Sequence, residues 1–462
     1  MLERINVDRV MNRLMKNGGE YGDLFFEKSL VTRISHEDNR LEKIITGTDT
    51  GVGVRLVRDL RTLYAWTNSA DEKTLLELAS RLSDISKSGK MEGLTIAPLK
   101  KIPAVSEVRM PPGSCEFKGK VEKVLSAREG AQVADNVSQI RIHYSEASRT
   151  IQVANSFGEF LENPQTYVLF TAQVVLSRDG RLQMGYESEG GTTGVEIFGG
   201  DIPFKIGEKA SRRALMMLDA KKSPGGRMPV VLSSEAGGTM IHEAVGHGLE
   251  ADLAMGGLSV YSRKVGQQIA SPLVTVVDDP TVPGKRGSYA IDDEGTMSGK
   301  TVLVEKGILK NYMYDRLQAI KGGGSSTGNG RRESYRQRPI PRMSNTIIEP
   351  GESLPEDIIG SAGEGLFVRK MGGGQVNTVT GDFVFEVSEG YLIKNGRIDE
   401  PVRGATLTGN GPEVLKMIDM VGSDLGYGIG TCGKDGQGVP VADAQPTLRI
   451  GKPFITVGGT PD

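Results

Sequence analysis

Apolar residues near the start of the chain fall at Val7, Val10, Met11, Leu14 and Met15 with polar residues between them, the spacing of a helix with one buried face. Segments rich in β-formers follow from about 20 to 67. A second helix is expected over Ala70 to Ser86, where Leu75, Leu76, Leu78, Ala79 and Leu82 make the apolar face, and a third over about 118–134. Alternation in Gln139-Ile140-Arg141-Ile142-His143-Tyr144 marks strands, which dominate from 138 to 193 with a turn at Arg178-Asp179-Gly180. A long helix over about 204–220 runs into Lys221-Lys222-Ser223-Pro224-Gly225-Gly226, which ends the helical pattern. The chain is therefore divided into an N-terminal α+β domain, 1–222, and a C-terminal domain, 223–462.

The second half opens on a short apolar strand, Val230-Val231-Leu232, and a helix-like stretch whose N-cap is expected at Ser233 or Ser234. Short strands and glycine-rich turns succeed it, at Leu273 to Val277, Gly299 to Glu305, Phe383 to Val387, Tyr391 to Ile393 and Leu448 to Val457, with one helix at about 411–421. The pattern predicts a mainly antiparallel β domain, a distorted barrel or sandwich, carrying the helix-like stretch. The fold class expected for the whole chain is α+β.

Composition narrows the function classes. Of 462 residues 37% are apolar and 25% charged, as in soluble globular proteins. With 56 basic and 58 acidic side chains, a net charge of -2 gives no general attraction to nucleic acid or an anionic membrane, so no direct nucleic-acid binding is expected. Arg331-Arg332 with Arg336 and Arg338 reads as a solvated loop. No segment offers the roughly 20 apolar residues of a membrane span, and the first helix lacks the apolar core of a signal peptide. Two cysteines, Cys115 and Cys432, argue against a disulfide framework and suit a reducing compartment, so a cytoplasmic location is expected. Gly322 to Gly330 is rich in glycine and serine, a linker or a mobile flap over a binding site. It lacks the Lys-Ser/Thr pair of a phosphate-binding loop, and no Gly-x-Ser-x-Gly elbow supports a serine hydrolase.

The helix-like stretch carries the chemistry. It reads Gly237-Gly238-Thr239-Met240-Ile241-His242-Glu243-Ala244-Val245-Gly246-His247-Gly248-Leu249-Glu250-Ala251-Asp252 and holds two of the chain's four histidines around one glutamate. Neutral imidazoles are the commonest zinc ligands, and a glutamate beside one can take a proton from an attacking water. The histidines stand five apart, which splays them by roughly 140° on a regular helix. One π-type turn would return them to a single side, and Gly246, without a Cβ, is where a bulge or kink over 244–248 is expected. Glu250 and Asp252 are candidates to support the ligand imidazoles.

A hydrolytic zinc site usually takes three protein ligands. His36 and His143 lie far upstream in polar, strand-like runs and read as surface residues, and Cys115 as a packing residue at the start of a helix. Cys432 stands in the turn Gly428-Ile429-Gly430-Thr431-Cys432-Gly433-Lys434, where backbone can bend around an ion. By residue type alone it is either a ligand or a buried structural thiol.

The chain resembles the TldD/PmbA family of metalloproteases, sometimes labelled modulators of DNA gyrase. Besides His242 to Asp252, the resemblance rests on Gly51-Val52-Gly53-Val54-Arg55, Pro224 to Leu232, Ile291-Asp292-Asp293-Glu294-Gly295, Gly381-Asp382-Phe383, Gly409-Asn410 and Thr431-Cys432-Gly433-Lys434. The His-Glu-x-x-x-His motif is that of the TldD branch, which the PmbA branch lacks. The resemblance implies Zn²⁺ bound by His242, His247 and Cys432, with Glu243 as general base, and unfolded or small peptides as substrates. It also implies a dimer, with a PmbA-type paralogue or with itself. Ala444 departs from an expected glycine. The competing expectation is a metal-stabilised adaptor of DNA gyrase or toxin–antitoxin proteins that cleaves nothing. Asp292, Asp293 and Glu294 are either a solvated turn or part of the site.

Overall fold

Helix α1 (Val7–Met15) starts where the Asn6 side chain accepts the Arg9 N–H at 2.9 Å, and α2 (Glu72–Asp84) where Asp71 accepts that of Thr74 at 2.8 Å. Both caps satisfy backbone donors that a helix cannot satisfy itself. In this computed structural model, residues 2–459 are described except 38, 86–88, 90–92, 134, 135, 453 and 454. The expected helix ends at Ser86 and 134, and part of the expected strand from Leu448 to Val457, lie outside the described residues.

The five apolar positions that predicted α1 are all buried, and α1 and α2 pack on β1 (Tyr21–Glu37) and β2 (Arg40–Arg58). With β3 (Arg61–Thr67), β4 (Val137–Asn155), β5 (Phe160–Arg178) and β6 (Arg181–Gly191) these form a seven-stranded sheet ordered β3-β2-β1-β4-β5, with β6 also on β5 and a short Lys100–Lys101 strand completing it. Asp179 and Gly180 turn the β5–β6 hairpin with φ of 51° and 75°, the left-handed pair such two-residue turns require. Helices α3 (Phe117–Ala131) and α4 (Ile202–Asp219) cover a second core on this sheet.

The C-terminal part is built of two further large sheets and a two-stranded one, Gly330–Arg331 with Ile340–Pro341, mostly antiparallel, with a curled half-barrel. In the ten-stranded sheet, β7 (Val230–Leu232) is fully buried between β11 (Gly365–Val376), parallel to it, and β16 (Leu448–Ile450), antiparallel. β12 (Asp382–Lys394) continues that sheet beyond β11, and β13 (Ile418–Val421) beyond β16. The six-stranded sheet includes β9 (Thr301–Glu305), β8 (Val276–Asp278), β10 (Asn345–Ile348), β15 (Gln437–Gln445) and β14 (Gly426–Lys434), with β14 at its edge. The α+β expectation holds.

Several local expectations do not. The helix expected over 411–421 ends at Lys416, because Ile418–Val421 is drawn into pairing with Leu448–Ile450. Two more helices, Arg316–Gly322 and Pro355–Ala362, interrupt the strands. The glycine-rich 322–330 stretch is pinned rather than linker-like. Gly323 ends a helix with φ 66°, Ser326 and Thr327 bond the Tyr314 carbonyl, and buried Asn329 bonds Asp278 and the Arg342 carbonyl.

The N-terminal sheet meets the C-terminal part through buried charge. Asp292, Asp293 and Glu294 are 1%, 4% and 0% exposed, which overturns the solvated turn. Glu294 pairs with Arg55 at 2.6 Å and Asp293 with Arg149 at 3.1 Å. Arg331 and Arg332 are buried too, against the solvated-loop reading, whereas Arg336 reaches Asp49 near the surface. A Cβ at Gly51 would meet the Tyr335 ring, and one at Gly53 the Tyr64 hydroxyl.

Candidate metal centre

From β7 the chain passes Ser233, whose hydroxyl accepts the Glu235 N–H and caps a short 3-10 turn, Ser234–Ala236. The His-Glu-x-x-x-His segment begins only at Thr239, after Gly237 and Gly238 in left-handed conformations at φ 76° and 72°. The serine cap therefore belongs to the preceding turn. His242–Gly246 forms a π turn and His247–Leu249 a 3-10 turn, close to the distortion expected at 244–248. The His247 N–H donates to the His242 carbonyl, so the five-residue spacing is itself the hydrogen-bond period and both imidazoles project from one side. Their ring centroids are 5.0 Å apart. Tyr261 O–H donates to the Ala244 carbonyl at 2.8 Å, and Gly246 lies against the Met343 sulfur, where a Cβ would collide with it.

Cys432 arrives from β14. One ligand atom each from His242, His247 and Cys432 lies within 4.8 Å of the others, and Cys432 Sγ stands 3.5 Å from His247 Nε2. Tetrahedral zinc at its usual Zn–S and Zn–N lengths spaces sulfur and nitrogen by about 3.5 Å. The donor set fits a small thiophilic cation.

Each imidazole is oriented from behind. His242 Nδ1 meets Asp443 Oδ1 at 2.9 Å and His247 Nδ1 meets Glu250 Oε2 at 3.0 Å. With Nδ1 held by a carboxylate, Nε2 is left for the centre. Glu250 is itself clamped by Lys434 at 3.0 Å, and Lys434 also bonds Asp252 at 2.7 Å. Arg342 donates to the carbonyls of Cys432 and Gln437 at 2.5 and 3.2 Å, tying the β14–β15 hairpin to the same network. Glu250 thus supports an imidazole as expected, and Asp252 holds Lys434 instead. Asp443 was not singled out in the sequence, although it neighbours Ala444 in a segment that was.

Burial alone would raise the Cys432 thiol, but the two imidazoles outweigh it and push it down to about 6. Burial would lower His247, but Glu250 and Cys432 push it up to about 10. Burial likewise works against a charged Glu250, yet Lys434, His247 and Arg342 bring it down to about 2. The protein thus favours a thiolate among protonated imidazoles, and a cation binding here must displace protons. Glu243 is half-buried, and its carboxylate makes no hydrogen bond or ion pair among the described residues.

The remaining candidates lie elsewhere. His36 is buried at 3% exposure, not at the surface, and burial lowers its pKa. Half-buried His143 bonds Ser35 at 3.2 Å. Cys115 precedes α3 and packs against the core beneath it.

A π-turn His-Glu-x-x-x-His segment, a converging cysteine and two carboxylate-anchored imidazoles define a candidate metallohydrolase centre on an α+β scaffold. The chain belongs to the PmbA/TldA metallopeptidase family, whose domain 1 matches residues 22–86, central domain 111–218 and C-terminal domain 225–458. It is 38% identical to the Haemophilus influenzae metalloprotease TldD homolog, over 96% of this chain and 93% of that protein. Among solved structures it resembles a Thermotoga maritima protein whose label refers to modulation of a DNA gyrase, with TM-score 0.77, 21% identity, and 95% and 96% of the two chains covered. It also resembles TldE from Thermococcus kodakarensis, with TM-score 0.75, 20% identity, and 99% and 100% covered. No helix among the described residues is long and apolar enough to cross a membrane.

Proposed function

We propose that this protein is a zinc-dependent peptidase acting on unfolded or extended peptides, with Zn²⁺ held by His242, His247 and Cys432 and Glu243 as general base. The observation that carries the reading is the convergence of the three donors with both histidine Nδ1 atoms occupied by carboxylates. When bound, the cation supplies Lewis acidity to the scissile carbonyl and to water. Glu243, its carboxylate free of other partners, takes the proton of the attacking water and passes it to the leaving amine. Asp443 and Glu250 hold the imidazoles in the ligating tautomer. A thiolate in the donor set reduces the net charge of the centre, so modest turnover is expected.

Edge strand β14, which carries Cys432, suits an extended peptide added by main-chain pairing. We assign the hydrolytic centre to residues 223–462 as one domain and a supporting role to 1–222. Dimerisation with a PmbA-type paralogue, or with itself, is the assembly that the family resemblance implies. A cytoplasmic location is supported by two free cysteines.

The label on the Thermotoga neighbour keeps one other reading in view, a metal-stabilised adaptor that modulates DNA gyrase without cleavage. Glu243→Gln separates the two: a peptidase keeps its zinc and loses casein cleavage, whereas an adaptor keeps its function. Zinc content of wild type, His247→Ala and Cys432→Ala, with cleavage on the same samples, tests the ligand set. About one zinc per chain, lost with cleavage in both variants, is expected. Zinc retained in Cys432→Ala overturns the cysteine assignment.

A further inference from the structure

Side chains alternate across a strand, so with Cys432 turned to the histidines its neighbour Thr431 faces away from them. Thr431 lines a cavity of ≈ 300 Å³ on that other side, closed opposite by the N-terminal sheet through Arg149 of β4 and Tyr167 of β5. The volume is that of about ten liquid waters.

The guanidinium groups lining this cavity are not equally paired. Arg149 meets Glu27 at 2.9 Å and Asp293 at 3.1 Å. Arg332 lies 3.6 Å from Asp23. Arg286 and Arg331, 8% and 4% exposed, have no carboxylate partner among the described residues. Arg331 donates to the carbonyls of Met343 and Pro440 at 2.5 and 2.7 Å and lies over the Tyr289 ring at 5.0 Å. Arg286 donates only through Nε, to the Gly430 carbonyl at 3.2 Å. Its two terminal nitrogens make no hydrogen bond among the described residues, and Arg149 Nη2 is a buried donor without a partner.

Nearby carboxylates do not answer this charge. Asp292 accepts the N–H groups of Glu294, Thr296 and Gly330, and Asp293 is engaged by Arg149 and the Arg332 N–H. Glu27 is engaged by Arg149 and the Tyr335 N–H, and exposed Glu333 accepts the Gly438 N–H without pairing with Arg286 or Arg331. A buried guanidinium without a counter-charge is costly, and a planar fork of donors is the shape that a carboxylate answers with two bonds. Apolar Val31 and Ile291 also line the cavity and suit a carbon chain. The acidic groups around the cavity favour one negative charge over the two of a phosphate.

We propose that this cavity is a second ligand site, which takes a carboxylate at Arg286 and Arg331. The carboxylate is that of a small free acid or of a peptide's C-terminus. The site is read by binding alone, so it stands or falls separately from hydrolysis. In the Glu243→Gln protein, where no peptide is consumed, calorimetry with succinate and with tetra-alanine as free acid and as C-terminal amide is the test. At least one carboxylate is expected to bind, and Arg286→Gln to weaken it by about tenfold or more. A free-acid peptide binding about tenfold tighter than its amide assigns the peptide terminus as source. Succinate binding without that preference assigns a small acid. No binding by any carboxylate, or unchanged binding in folded Arg286→Gln, overturns the proposal. Should Arg286→Gln fail to fold, phenylglyoxal labelling of the unsubstituted Arg286, mapped by mass spectrometry, decides. Protection by succinate or the free-acid peptide, and not by succinamide, supports the site, and equal labelling throughout overturns it.

Discussion

Replacing Asp443 by alanine separates holding a metal ligand in place from holding the fold together. Asp443 is 7% exposed, and its side chain has one hydrogen-bond partner among the described residues, His242 Nδ1 at 2.9 Å. Removing the carboxylate leaves His242 in the π turn but frees its ring to choose tautomer and rotation. Loss of such a support typically weakens metal binding 10- to 100-fold, equivalent to about 1.4–2.7 kcal/mol. The His242 N–H left without an acceptor costs the metal-free protein about 1–3 kcal/mol. Glu250 is the contrasting case, because its removal takes from buried Arg342 the carboxylate 3.9 Å away and leaves Lys434 with Asp252 alone, and breaking a buried pair costs about 3–5 kcal/mol. Zinc affinity by competition against a chromophoric chelator, with thermal melts of the chelator-treated proteins, distinguishes the effects. Asp443→Ala is expected to fold and to bind zinc 10- to 100-fold more weakly. Asp443→Asn, whose amide oxygen still accepts the N–H, should recover part of the loss. Zinc affinity within about twofold of wild type in folded Asp443→Ala would refute the orienting role, since a tenfold effect is the least that role predicts.

Two further outcomes follow from the same geometry. Gly246→Ala pushes a methyl into the Met343 sulfur, which is fully buried, and such overpacking costs about 1–3 kcal/mol. A melting temperature lower by roughly 1–3 °C is expected, with a smaller penalty when Met343→Ala is added, and additive losses would contradict a direct clash. Glu250 is held down to about 2 from 4.5, so its contribution is present above pH 4.5 and lost as pH falls toward 2. Denaturant midpoints should fall over that window in the chelator-treated wild type, and fall less in Glu250→Gln if that variant folds.

The sequence made local chemistry readable and left distant partners hidden. The His242 to His247 spacing forced a choice between splayed ligands and a π turn, because both residues lie on one short segment. Glu250 was equally visible, three residues from His247. Asp443 is 201 residues from the imidazole it orients, and no periodicity spans that interval. The same limit explains the misread polar segments. Composition marks Gly322 to Gly330 as loose, but Asn329 is fixed by Asp278 and Arg342, which lie elsewhere in the chain. Asp292 to Glu294 look solvated until Arg55 and Arg149 arrive from other strands and the Arg332 N–H from a loop. The helix expected over 411–421 failed for a related reason, since pairing with Leu448–Ile450 overrides local preference from Ile418 onward.

The 185 residues between His247 and Cys432 also set a clock. At the usual pace of synthesis, about 5–20 residues per second, the cysteine leaves the ribosome roughly 10–40 s after the histidine. Through that interval the emerging polypeptide has the imidazoles and Glu243 but neither the thiolate nor Asp443. If extended peptides are its substrates, as proposed above, the most abundant one in its surroundings is its own unfinished chain. On the function proposed above, dividing the donor set between the His242–Leu249 turns and the β14–β15 hairpin leaves the nascent protein without a complete centre until it has folded.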